Sequence, residues 1–157
     1  MAVVSSAVLE QLTRLGLEGR DPDASERVPL KTIRTSFYRP AERCNWSEDP
    51  LGQVTDVPPA VRFVMRIRGD GRYRGYYPGI EFIGQSEGYD GVDHDDQRHV
   101  LVPFAMDADS HHGFYVDLLD ESDEPAVWER DGDRIPGKGK LVVSTGLVRW
   151  LRRLRRA

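Results

Sequence analysis

His99-Val-Leu-Val-Pro-Phe-Ala-Met-Asp-Ala-Asp-Ser-His-His-Gly-Phe-Tyr-Val-Asp-Leu-Leu-Asp-Glu-Ser-Asp-Glu-Pro-Ala-Val-Trp-Glu-Arg-Asp-Gly132 reads as three short strands joined by acidic turns. Val100–Phe104 is apolar, partly β-branched, and ends in a Pro-Phe step. Phe114–Leu118 alternates, with Phe114, Val116 and Leu118 on one face and Tyr115 and Asp117 on the other. Ala126–Glu129 supplies a third strand, closed by the turn dipeptide Asp131-Gly132. No triplet in this stretch has the look of a reaction centre. It predicts a curved sheet edged by carboxylates, which suits binding better than chemistry.

Charge along the chain is unevenly shared. The net charge is -4. Residues 1–80 hold 12 Lys/Arg and 10 Asp/Glu, residues 81–135 hold 3 and 16, and residues 136–157 hold 7 and none. The middle segment therefore carries -13 and the tail +7. Acidic turn tips account for part of the excess, since Asp and Glu solvate turns. The remainder makes a field that would steer a basic partner and repel phosphates.

With 157 residues, the sequence fits one domain able to bury most of its apolar surface. Cys44 is the only cysteine and has no internal disulfide partner. The first ten residues show neither the basic region nor the apolar run of a signal peptide, so a reducing, cytoplasmic setting is expected. No run approaches the roughly 20 apolar residues of a membrane span.

Outside the central stretch the pattern is helix, irregular segment, helix, sheet, helix. Ser5 or Ser6 caps a first helix with Val8, Leu9, Leu12 and Leu15 at helical spacing and Gly16 as its stop. Between Arg20 and Asp56 the periodicity weakens, with loop signals at Asn45–Gly52 and a short strand or helix near Leu30–Tyr38. In the second helix, Asp56 serves as cap, Pro58 and Pro59 occupy the first positions, and Gly69 closes it. Its apolar Ala60, Val61, Phe63, Val64, Met65 and Ile67 leave only Arg62, Arg66 and Arg68 for solvent. A strand follows at Ile80–Ile83. The last helix is expected from Ser144 or Thr145. Its stripe is Leu147, Val148, Trp150, Leu151 and Leu154, opposed by Arg149, Arg152, Arg153, Arg155 and Arg156, a face either solvated or paired internally.

The order of these elements resembles the SUKH superfamily. Val57-Pro58-Pro59-Ala60-Val61-Arg62 followed by Gly69-Asp70-Gly71 is similar to that family's "Leu-Pro, helix, Asn-Gly" signature. Val102–Asp107, Phe114–Leu118 and Val127–Gly132 resemble its central strands, and Ser144–Leu154 its closing helix. The likeness covers residues 56–156 of a single 1–157 domain. Where the family often has a Gly-rich turn, this chain has Asp107-Ala108-Asp109-Ser110-His111-His112-Gly113. The resemblance implies an α+β domain, a central mostly antiparallel curved sheet packed with N-terminal helices and a C-terminal helix. It also implies a protein that binds a partner, often a bacterial toxin domain encoded beside it, with no catalysis.

Three functional readings stand side by side. The first is an immunity protein that neutralises a basic toxin, such as a nuclease, through an acidic face. Its expected contacts are Tyr76, Tyr77, Glu87, Asp90, Asp93, Asp95, Asp96, Asp120, Glu121, Asp123 and Glu124, with a protein partner, no nucleic acid, no membrane and no cofactor. The second is a metal-dependent hydrolase built on the Asp/His loops 90–99 and 107–112, although their spacing fits no zinc or calcium motif. The third is a scaffold whose basic C-terminal helix docks elsewhere. Cys44 has no base-orienting pattern, no Gly-x-Ser-x-Gly elbow occurs, and Gly137-Lys138-Gly139-Lys140 lacks the length of a phosphate loop. Trp128, Trp150 and Phe63 are expected in the core. Trp46, Tyr73, Tyr76 and Tyr77 stand where an aromatic is either a core plug or a contact anchor.

Overall fold

The computed structural model describes residues 1–29, 56–84, 93–95, 99–110, 112–131 and 140–157. Leu30–Tyr38, Cys44, Trp46, the loop at 45–52, His111, Gly132 and Gly137–Gly139 lie outside them.

Helix α1 (Ser6–Leu15) starts and stops on local chemistry. The Ser5 hydroxyl accepts from the Val8 N–H, and Gly16 takes a left-handed φ of 67° at the C-cap, a conformation that costs an L side chain strain. Val8, Leu12 and Leu15 point into the core, as their spacing predicts.

Two minimal strands, β1 (Val28–Pro29) and β2 (Asp56–Val57), pair with each other, and β2 leads into α2 (Pro59–Met65). Asp56 does not cap this helix, contrary to the expectation from the sequence. The N-cap is Pro58, which makes no side-chain cap bond, and the Asp56 carboxylate is held by Arg27 instead. Nor does the helix reach Gly69. It ends at Met65 with Arg66 as its C-cap, and just beyond it Arg68 and Glu18 exchange backbone bonds of 2.8 and 2.9 Å. Arg68 is exposed as expected, but Arg62 and Arg66 are half-buried.

The remaining strands are β3 (Tyr73–Arg74), β4 (Ile80–Phe82), β5 (Asp93–Asp95), β6 (His99–Asp107), β7 (Gly113–Asp117), β8 (Ala126–Asp131), β9 (Lys140–Gly146) and β10 (Arg155–Arg156). They form one curled antiparallel sheet in the order β10-β3-β4-β6-β7-β8-β9, with β5 also pairing with β6. The architecture is α+β, as the alternating central stretch predicts. Register shifts at Pro103/Ala105 and Val127/Trp128 mark bulges, which increase local twist.

Helix α3 (Leu147–Arg152) is shorter than the sequence suggests, and its arginines are distributed differently. Ser144 and Thr145 belong to β9, where Thr145 pairs with Val127, so ladder bonding overrides their capping propensity. After Arg152 the chain turns, buries Leu154 and adds Arg155 and Arg156 to the sheet edge beside β3. Those two arginines are strand residues.

The core lies between the helices and one sheet face. Trp150 meets Phe104 and Phe114 at ring distances of 5.3 and 5.1 Å, and Phe82 at 6.0 Å. Phe63 is buried and Tyr73 wholly so, in a strand rather than a loop. Trp128 is only half-buried, across from Tyr115. Asp117 is buried although its strand alternation places it with Tyr115 on the polar face.

Candidate functional site

Sheet register decides which of the expected contact residues meet. In β5, Asp93 stands opposite Leu101, and Leu101 stands opposite Asp117 at the end of β7. Asp93 and Asp95 are thus brought to the same end of the sheet as the β7–β8 connection that carries Asp120, Glu121, Asp123 and Glu124. Tyr76 and Tyr77 sit at the other end. They form the tip of the β3–β4 hairpin, because Ile80 pairs with Asp107 at the far terminus of β6. The strand rise of about 3.3 Å per residue puts the two ends of β6 roughly 26 Å apart. Glu87, Asp90 and Asp96 lie outside the described residues.

The acidic connection holds itself in shape. Asp117 Oδ1 accepts from the Leu119 N–H at 2.9 Å, Asp120 Oδ1 from Ser122, and Asp120 Oδ2 from Ala126. Glu124 Oε1 accepts from the Val148 N–H at 3.2 Å, capping α3, whose own N-cap Gly146 has no side chain to do so. These bonds consume lone pairs, not charge, so the field persists.

Glu121 is different. With Asp56 it shares the Arg27 guanidinium, which donates at 2.8 Å to Asp56 and bidentately at 2.9 and 2.8 Å to Glu121. Arg27 holds both carboxyls below the usual carboxylate range, and they raise its own pKa further. Asp123 is exposed, and its carboxylate has no hydrogen bond or ion pair among the described residues.

At the opposite end, His112 is buried at 6% exposure. Its ring stacks on Tyr77 at 4.4 Å, its Nδ1 lies 3.3 Å from the Tyr77 hydroxyl, and its Nε2 lies 2.9 Å from Glu129 Oε1. Tyr77 also meets Phe114 edge-on, so it plugs the rim of the core. Tyr76 does not: it is 91% exposed.

Asp107 builds the neighbouring turn. Its Oδ1 accepts from Gly79 N–H, while Oδ2 accepts from the Ser110 N–H and, at 2.6 Å, the Ser110 hydroxyl. Burial works to raise its pKa, but the Ser110 and Gly79 hydrogen bonds prevail and hold it below the usual range. Asp107 therefore acts as a turn cap and His112 as a packed aromatic. Among the described residues, no group of three or more His, Cys, Asp or Glu is placed to hold a metal ion. Nor is any helix there long and apolar enough to cross a membrane.

The sequence offers no signal for the basic edge formed by β10 and β3, because Arg74 and Arg155 are 81 positions apart and meet only through sheet pairing. Comparison of the chain with protein-family models, with curated proteins and with solved structures finds no match.

Proposed function

We propose that this chain is a non-catalytic protein-binding domain of the SUKH type, an immunity protein that works in the cytoplasm without a cofactor and neutralises a basic toxin such as a nuclease. The observation that carries the reading is the gathering of Asp93 and Asp95 with the Asp117–Glu124 connection at one end of the sheet. Pooling like charge there destabilises the folded chain through self-repulsion, and a basic partner would relieve it. Asp123 and Asp95 are the residues argued to meet that partner, and Tyr76 and Tyr77 lie too far away to share its contact.

The test uses the protein encoded by the adjacent gene as probe, with association followed by surface plasmon resonance. Raising salt to physiological strength should slow association far more than it speeds dissociation, because screening acts on the encounter. Asp123→Lys combined with Asp95→Lys should slow association about tenfold or more. Association indifferent to both changes, or no complex at all, would overturn the proposal.

A further inference from the structure

Sheet pairing sets arginines from distant parts of the chain side by side. Arg155 is the direct register partner of Arg74, and Arg156 that of Tyr73. Cross-strand partners share a face with Cβ atoms about 5 Å apart, where like charges repel. Arg74, Arg152, Arg153 and Arg155 are all exposed, and none of their guanidinium groups has an ion pair or hydrogen bond among the described residues. No described carboxylate is paired with them.

An exposed aromatic stands at the same corner. The hairpin tip that carries Tyr76 is pressed against the segment leading into β10. A Cβ at Gly75 would stand 2.8 Å from Leu154 Cδ2 and 3.6 Å from the Arg153 carbonyl oxygen, so a side chain there would have to displace the Leu154 methyl. Tyr76 follows directly, with its ring edge-on to Tyr77 at 5.3 Å and otherwise in solvent. The nearby carboxylates of Glu81 and Asp109 are engaged by Arg72 at 3.1 and 3.5 Å, which neutralises part of their repulsion toward an anion.

The geometry points to this edge as a binding site for single-stranded nucleic acid. Arg74, Arg152, Arg153 and Arg155 would take the phosphates through their guanidinium forks, and Tyr76 would stack a base. An acidic protein fits less well. Its carboxylates could pair with the arginines but would leave the 91% exposed ring of Tyr76 without a stacking partner, whereas every base offers a flat face to it. Duplex DNA fits less well too, since a hairpin tip with a two-residue edge strand offers nothing to fill a major groove, and paired bases hide their faces. This surface departs from the sequence-based expectation of no nucleic acid, which rests on the acidic segment at the other end of the sheet.

The probe is a fluorescein-labelled oligothymidine of ~12 nucleotides, read by fluorescence anisotropy against the whole protein in low salt. Binding should weaken with salt at a log–log slope of roughly -3, reflecting four arginine contacts on a single strand, and Arg74→Gln with Arg155→Gln should flatten that slope by about half. Tyr76→Ala should weaken binding about tenfold or more with the slope unchanged, and Tyr76→Phe should restore it. Melting curves of the Arg74→Gln, Arg155→Gln variant should be unchanged or shifted upward, showing that the fold is intact. An unchanged anisotropy signal overturns the proposal. So does equal affinity for a poly-glutamate peptide together with indifference to Tyr76→Ala, which would make the edge a docking surface for an acidic protein.

Discussion

Arg27 and Glu121, separated by 94 positions in sequence, form a bidentate pair with hydrogen bonds of 2.9 and 2.8 Å, and the same guanidinium reaches Asp56 at 2.8 Å. One cation thus ties the β1–β2 pair to the acidic connection between β7 and β8. Glu121, expected at a partner interface, is already spoken for within the fold.

This cluster sets an acid sensitivity. Both carboxyls have folded pKa values below their ordinary ones, so the stability they add is present above the ordinary carboxylate range and is lost as pH falls through the folded values. Arg27 stays protonated throughout. The urea midpoint should therefore drop as pH is lowered below about 4, and Arg27→Gln should lower the midpoint at neutral pH while flattening that acid limb. An acid limb identical in the variant would remove the cluster as its cause.

Asp107 contributes to the same limb from the other end of the sheet. Asp107→Asn preserves shape but loses the charge-assisted bonds from Gly79 and Ser110, which should cost about 1–3 kcal/mol at neutral pH. The cost should shrink in acid, where the wild-type carboxyl is itself protonated. Chemical denaturation at both pH values reads this directly, and a cost that stays constant with pH would contradict the assignment.

Trp150 is 4% exposed and touches three phenylalanine rings, so Trp150→Ala should cost about 3–5 kcal/mol. Arg152→Gln and Arg153→Gln, on the exposed side of the same segment, should change stability by no more than about 0.5 kcal/mol. Melting temperatures of the three variants separate a packing helix from a charged one.

Tyr73 carries a fully buried hydroxyl with no hydrogen-bond partner among the described residues. Tyr73→Phe keeps the ring packed edge-on against Phe82 at 5.5 Å and removes the unpaired group, so stability should hold or rise by up to about 1 kcal/mol. A loss on this substitution would mean the hydroxyl has a partner such as an ordered water.

Much of the architecture is legible in local pattern, because local pattern is what it depends on. Period-two alternation at Phe114–Leu118 and helical spacing at Val8, Leu12 and Leu15 report which face must leave water, and Ser5 and Gly16 act within one turn of themselves. The ends of α2 and α3 are not legible. Asp56 has the chemistry of a cap but is taken by Arg27, and α3 is capped from Glu124, 24 positions upstream.

Composition along the chain determines that a strongly acidic segment precedes a strongly basic tail, and hydrophobic periodicity determines that sheet and helices form. Only the tertiary structure decides where those charges stand. Register across β5, β6 and β7 gathers Asp93, Asp95 and the Asp117–Glu124 connection at one end, while β10 folds Arg155 onto Arg74 and leaves Tyr76 at the opposite corner. The physical reason is that pairing between strands is set by backbone hydrogen bonds and core packing among distant residues. A charged side chain pointing away from the core has little influence on the register that places it.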